Sequence, residues 1–188
     1  MLDYCRNLQR QLAEQPFNDG KVIATIDDRD LRGGEKTWHH VKRGVPLRIE
    51  VGPRDIQGDK VCLYRRDLPP QEKSFPPRAE FVAGVSKLLD DIQSNLYQRA
   101  LKLREDNTRK IDAWPEFQAW FTPQSADKPE IHAGFAMCHF ADDPAVTAAL
   151  NELKVTVRCI PQTGDPEPGK CLITGQPTPR RVVLAKAY

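Results

Sequence analysis

From residue 78 to residue 110 the chain contains no proline and a single glycine, Gly84, close to the start of the stretch. Phe81, Val85, Leu88, Ile92 and Leu96 recur there at three- and four-residue spacing, and Leu89 and Leu103 widen the stripe. That period predicts one long amphipathic helix. A connector rich in proline precedes it, with Pro69, Pro70, Pro76 and Pro77 between residues 68 and 77. The two features divide the sequence: what lies before and after them must each bury its own apolar residues. The expected organisation is a first domain over 1–68, a linker and long helix over 69–112, and a second domain over 113–188.

Within 1–68 the pattern reads as α/β. Leu2, Cys5, Leu8 and Leu12 mark one face of a helix over 2–15. Asp3 near its start favours the positive end of the helix dipole. Pro16 and Asn18-Asp19-Gly20 end it. Residues 21–27, through Val22, Ile23, Ala24 and Ile26, read as a buried strand, 28–34 as a charged loop and 35–43 as a short helix. Strands are expected over 46–52 and 60–66, joined by a turn over 52–58 and paired antiparallel. A helix that covers a parallel sheet normally follows a strand, and the first helix here has none before it. Beyond the long helix the expected order is a helix over 114–121, a strand over 130–138, a helix over 144–153, a strand over 155–160, a loop over 162–169 and a strand over 181–187.

Composition narrows the functional classes. Hydrophobic residues make up 39% and charged residues 29% of the 188, as in a globular protein, and the net charge is only +2. Any nucleic-acid site must therefore come from local clustering of cations. No apolar run reaches the roughly 18 residues of a membrane span, and residues 1–15 are too polar for a secretory signal. The five cysteines, an odd number without a CxxC pair, fit a reducing cytosol better than a disulfide framework.

The chain carries no GxSxG and no Walker loop, and Gly33-Gly34 is too short to cradle phosphates. Asp27-Asp28-Arg29-Asp30 could hold Mg²⁺ or act in acid–base chemistry, but its alternating signs favour internal pairing with Arg29 and Arg32. His39 and His40 are adjacent on a helix and point to different faces, which suits partly exposed residues better than joint chelation. Zinc wants four Cys or His ligands in close pairs. Cys138-His139 is one possible half, Cys171 has Thr174 where a CxxC partner would stand, and Cys159 reads as a buried thiol in an apolar strand. The set falls short.

The cations are more informative. Arg29, Arg32, Lys36, His39, His40, Lys42 and Arg43 cluster within fifteen positions, with Trp38 among them. Arg48, Arg54, Arg65 and Arg66 follow on the strands and turn. Loops at strand ends bring such residues to single-stranded RNA, where cations hold phosphates and flat side chains stack on bases. Read alone, a run of this kind is more often an ordinary solvated face.

A resemblance covers nearly the whole chain. Asp27-Asp28-Arg29-Asp30, followed by Gly44-Val45-Pro46-Leu47-Arg48-Ile49-Glu50-Val51-Gly52-Pro53-Arg54-Asp55, resembles the anticodon-binding domain of prolyl-tRNA synthetases of the archaeal and eukaryotic-like type. Leu89 to Ala100 (LDDIQSNLYQRA) and Arg104 to Thr108 (REDNT) look like that family's linking helix. Arg158-Cys159-Ile160-Pro161, Gly169-Lys170-Cys171 and Leu184-Ala185-Lys186-Ala187-Tyr188 look like its extra C-terminal domain, a small α+β unit.

The resemblance implies an α/β/α anticodon-binding fold around a mixed sheet, which in the family opens with a strand before the first helix. The chain is therefore expected to be a fragment with that strand missing. It implies an ATP-dependent ligase that attaches proline to tRNA(Pro). The catalytic site would lie in a class II domain upstream, the intact enzyme would be a homodimer in the cytoplasm, and this chain would hold no catalytic residue. The alternative is a free-standing anticodon-domain protein that binds RNA or regulates.

Arg29, Arg32, Lys36, His39 and Arg54, in or beside loops at strand ends, are the candidate RNA contacts. The family's loop often reads Arg-Pro-Gly, where this chain has Arg32-Gly33-Gly34. Tyr188 would place its terminal carboxylate near the active site of the intact enzyme. Many relatives bind zinc through two cysteine pairs. Here Cys138 and Cys171 fill two of those places and Asp143 and Thr174 the others, so no metal is expected.

Overall fold

The computed structural model of the chain describes residues 1–123, 134–162, 164 and 166–186. These form two compact units, which divide between Arg99 and Ala100.

In the first unit, α1 (Leu2–Ala13) buries Leu8 and Leu12, one turn apart. A small antiparallel hairpin follows, β1 (Pro16–Phe17) with β2 (Gly20–Lys21). The strand expected over 21–27 does not extend that ladder. Val22 is buried and Ile23 is 91% exposed, as strand alternation would have it, but after the Val22 amide, which donates to the Gln15 carbonyl at 3.0 Å, no strand among the described residues pairs with the segment. Apolar patterning sets which side faces the core; a strand also needs a partner.

Helix α2 (Gly33–Lys42) ends where the sequence supplies a stop. Gly44 takes φ +73°, the Val45 amide donates to the His40 carbonyl and the Gly44 amide to that of Val41. This is a Schellman closure, which only a residue at ease with positive φ completes without strain. The chain then enters β3 (Leu47–Glu50), paired antiparallel with β4 (Cys62–Arg65) in the register Leu47↔Arg65 to Glu50↔Cys62.

The expected turn between them is instead a short helix, α3 (Pro53–Gln57). Pro53 starts it, and the Gly52 amide donates to the Asp55 carboxylate at 2.8 Å. The proline-rich connector lies along the far edge of β4, where Leu63 and Ser74 exchange amide–carbonyl bonds. Helix α4 (Arg78–Asp106) contributes Phe81 and Val85 to a core shared with Leu8, Leu12, Val61 and Leu63. The unit is α/β as expected, though its described strands form two small antiparallel sheets and not one mixed sheet.

The expected helix over 78–110 stops at Asp106. Asn107 Nδ2 donates to the Leu103 carbonyl at 2.8 Å and the Thr108 hydroxyl to that of Arg104 at 2.6 Å, so local side chains satisfy the last turn. Residues Thr108–Lys110 then form β5, parallel to β6 (Phe135–Cys138).

The second unit is built on a mixed four-stranded sheet in the order β5-β6-β10-β7, with β7 at Val155–Cys159 and β10 at Val182–Lys186. Helix α5 (Trp114–Phe121) lies where it was expected, and α6 (Pro144–Glu152) is capped by Asp143, whose carboxylate accepts from the Ala145 amide. A last hairpin pairs β8 (Gly169–Lys170) with β9 (Pro177–Thr178); neither strand was read from the sequence.

Phe117, Phe121, Leu184 and Ile111 are almost fully enclosed, and burying each contributes roughly 1.5–3 kcal/mol. One expectation fails here. Cys159 and Ile160 are exposed, because β7 has β10 on one side and no second neighbour among the described residues. The part of the expected 130–138 strand before 134 falls outside the described residues.

Candidate nucleic-acid interface

The segment that follows β2 delivers Asp27 to one face of α2. Arg29 doubles back onto it with two parallel bonds, Nε to Oδ1 at 2.8 Å and Nη2 to Oδ2 at 2.7 Å. His40 Nε2 approaches the same carboxylate at 2.8 Å, and Lys36 Nζ donates to the Asp27 carbonyl at 3.2 Å. Lys36 and His40 are four positions apart on α2, which puts both on the face that meets Asp27. The Arg29 fork, followed by the His40 bond, holds the Asp27 carboxyl well below the usual carboxylate range.

His39 faces another way. Its ring meets His40 edge-on with 5.1 Å between centroids, and Arg43 Nη1 lies 3.3 Å from its Nε2. Guanidinium can only donate, so this nitrogen accepts and the ring proton belongs on Nδ1. Lost hydration and the nearby Arg29, His40 and Arg43 charges push its pKa down, favouring the neutral ring.

Arg29, Lys36 and His39 are thus gathered around one carboxylate and its histidine partner. Arg32 and Arg54 are not. Arg32 is the N-cap residue of α2 and Arg54 stands on α3; both are exposed, and neither guanidinium has a partner among the described residues. The pairing of Arg32 with the acidic run does not occur; Arg29 alone takes that role, because its fork reaches Asp27 two residues back.

Trp38 is 59% exposed on α2, with Lys42 Nζ 5.6 Å from its ring. Other cations in the run serve the scaffold. Arg65 pairs with the buried Asp67, whose carboxyl is pulled down to about 2 by that bond, against its burial and with help from Asn95. Arg66 reaches the Gly44 carbonyl, and Arg48 stacks on Tyr64 at 4.0 Å. The sequence reading missed Asp27 and His40 as the organising pair; the thirteen-residue separation hides a contact that α2 closes in space.

In the second unit the four positions of the family's metal site have other tasks. Asp143 caps α6 and accepts from Gln176 at 3.1 Å. Cys138 is sealed in the core, and burial pushes its thiol up to about 12. Cys171 is buried too; although burial alone would raise its pKa, donors from Thr174, Ala141 and Ile173 bring it down. Among the described residues no three His, Cys, Asp or Glu side chains converge as metal ligands, and no helix is long and apolar enough to cross a membrane. Tyr188 lies outside the described residues.

Residues 1–88 match a family model described as the anticodon binding domain. All of the chain aligns with a proline–tRNA ligase 2 of Anaeromyxobacter dehalogenans at 50% identity, covering 38% of that protein. All of it also aligns with a proline–tRNA ligase of Rhodopirellula baltica at 44%, covering 36%. The whole chain thus matches a stretch of proline–tRNA ligases. A crystal structure of prolyl-tRNA synthetase from Cryptosporidium parvum, complexed with L-proline and AMP, shares the fold over the whole chain with a TM-score of 0.75 at 23% identity, and 37% of that protein is covered. The chain therefore spans a little over a third of the length of these proline–tRNA ligases. The family's anticodon binding model takes in α1, the Asp27 cluster, α2 and the β3–β4 pair, so the cationic surface lies in the part matched as anticodon-binding.

Proposed function

We propose that this chain is the part of a proline–tRNA ligase that holds the anticodon loop of tRNA(Pro). The observation that carries the reading is the placement of Arg29, Lys36, His39 and Arg32 around the start and face of α2, within the residues matched as an anticodon binding domain. Arg32 and Arg54 have free guanidinium groups for phosphate, the neutral His39 ring offers hydrogen bonds to base edges, and exposed Trp38 offers a face for stacking. The Asp27 carboxylate fixes Arg29 and the His40 ring before any RNA arrives.

The same reading assigns the chemistry elsewhere. Proline activation with ATP and transfer to tRNA would belong to a class II catalytic domain of the same enzyme, acting in the cytoplasm as a homodimer. Tyr188 would bring its carboxylate toward that domain. Binding of the purified chain to a hairpin RNA with the proline anticodon, against the same hairpin with the anticodon bases changed, tests the proposal. Affinity should fall about tenfold or more with the changed bases, the loss expected for a mismatched contact of about 1–3 kcal/mol. Equal affinity for both hairpins would reduce the surface to a charge patch.

A further inference from the structure

The second unit contains a cleft of about 470 Å³ that the anticodon reading does not use. Its walls include Lys110, Met137, Pro161, Glu167, Arg180 and Arg181. The volume falls in the range of small-molecule sites. Three of the eight lining residues are cations.

Arg181 is 8% exposed, so its charge is buried and must be compensated. Nη1 reaches Asp112 Oδ1 at 2.7 Å and the carbonyls of Met137 and Ile111, and Nη2 reaches Glu167 Oε1 at 3.0 Å. Its Nε is buried and has no acceptor among the described residues. Leaving a charged donor unpaired in the interior is costly, and a bound anion or an ordered water is the usual reason such a group persists.

The neighbouring charges do not balance either. Glu167 is shared between Arg181 and Lys110, whose Nζ lies 2.9 Å from its second oxygen. Those two bonds hold the Glu167 carboxyl down at about 2, so it stays ionised. Arg180, half-buried, donates only to the neutral Pro161 carbonyl at 3.0 Å. Around the cleft three cations face Glu167 and Asp112, and Arg180 has no carboxylate partner among the described residues.

We propose that this cleft is an oxyanion site that takes a phosphate group, with Arg180 as its main charge contact and Lys110 and Arg181 completing the cationic wall. The apolar wall formed by Met137 and Pro161 gives room for a group attached to the phosphate. The phosphate can come from a free nucleotide or from a nucleic-acid strand; the chemistry recognised is the same.

Pyrophosphate is the probe, added to the full chain and compared with sodium chloride at equal ionic strength. Calorimetric titration should show saturable pyrophosphate binding, with a rise in the thermal midpoint that chloride does not give. Arg180→Ala should weaken it about tenfold, the factor for one charge-assisted hydrogen bond, and Arg180→Lys should recover most of it. If Arg180→Ala does not fold, Lys110→Ala takes its place with the same expectation.

The Arg32→Ala/Lys36→Ala protein should bind pyrophosphate like the parent. Loss of binding in that double variant would move the anion to the first unit and overturn the proposal. So would a pyrophosphate effect equal to that of chloride, or one indifferent to Arg180→Ala in a folded protein. AMP and a short RNA strand of unrelated sequence, used as competitors, distinguish the two sources. Displacement by AMP alone identifies a nucleotide, and displacement by the strand identifies its backbone.

Discussion

His40 Nε2 lies 2.8 Å from Asp27 Oδ2, on a carboxylate that Arg29 already holds in a two-bond fork. The pair ties α2 to the segment before it and orients the cations of the candidate interface. Asp27 titrates lower in the folded state than in the unfolded chain, because the Arg29 fork comes first among its stabilising partners and His40 second. A depressed carboxylate contributes stability that is complete above its unfolded pKa, about 3.9, and is lost as the pH falls toward the folded value. The midpoint of thermal unfolding should therefore drop on acidification below about pH 4, and Asp27→Asn should flatten that drop while lowering the midpoint at neutral pH. An unchanged acid slope in Asp27→Asn would place the acid sensitivity elsewhere.

The salt dependence of RNA binding should report how many cations meet phosphate. Each such contact adds about 0.7 to 0.9 to the slope of log affinity against log salt. Replacing Arg32 and Lys36 together by Ala should therefore lower the slope by about 1.5. Anisotropy titrations of a labelled anticodon hairpin between low and moderate salt measure it. A weakened affinity with the original slope would mean that the two residues act on folding and not on phosphate.

Gly169 lies so close to the His139 ring that a β-carbon at this position would overlap Nε2. The ring cannot swing clear, since His139 is 3% exposed and its Nδ1 is bonded to the Thr178 hydroxyl at 2.8 Å. Gly169→Ala should cost roughly 1–3 kcal/mol, the usual penalty for overpacking a core. Urea unfolding followed by Trp fluorescence would show it, and a loss below about 0.5 kcal/mol would mean that the β8–β9 hairpin shifts to make room.

The second unit is expected to fold without zinc. Asp143 is engaged as a helix cap, and Thr174 offers only a hydroxyl at the fourth position, so two thiols are left where a zinc site wants four Cys or His ligands. Chelator should leave the unfolding midpoint unchanged, and metal analysis should find no stoichiometric zinc. One equivalent of zinc lost together with the fold would overturn this.

The isolated chain should not form prolyl-adenylate, because nothing in its sequence resembles an ATP or proline motif. Proline-dependent pyrophosphate exchange by the purified chain should stay at the level of a blank.

Local rules in the sequence reached the helices well. The Leu8–Leu12 stripe and the Phe81–Val85–Ile92 stripe appear where periodicity put them, and the Trp114–Phe121 helix where it was expected, since a helix satisfies its own backbone. Strands depend on a neighbour. Val22 to Ile26 has a strand's alternation and no ladder, and Thr108–Lys110 has the tail of a helical stretch but pairs with β6. The site shows the same division. Arg29, Lys36 and His39 were legible as a run of cations, whereas the Asp27–His40 contact needed the fold to bring it about. Cys159 was misread for a related reason: Val155, Val157 and Ile160 give its segment an apolar look, but its place on an outer strand exposes it.

That outer strand has a consequence for the protein in concentrated solution. The β7 edge has no second neighbour among the described residues, and Val157, exposed at 48%, stands on it with Ile160 just beyond. An uncovered strand edge is a template on which a second chain can add its own strand. The features that oppose this are few: the Arg158 charge, whose guanidinium donates to the Lys186 carbonyl at 2.8 Å, and the break in register between Val183 and Leu184 that bends the neighbouring strand. Colloidal behaviour should therefore turn on Arg158 more than on the protein's net charge. Neutralising that one residue would leave an apolar strand open to its own copies.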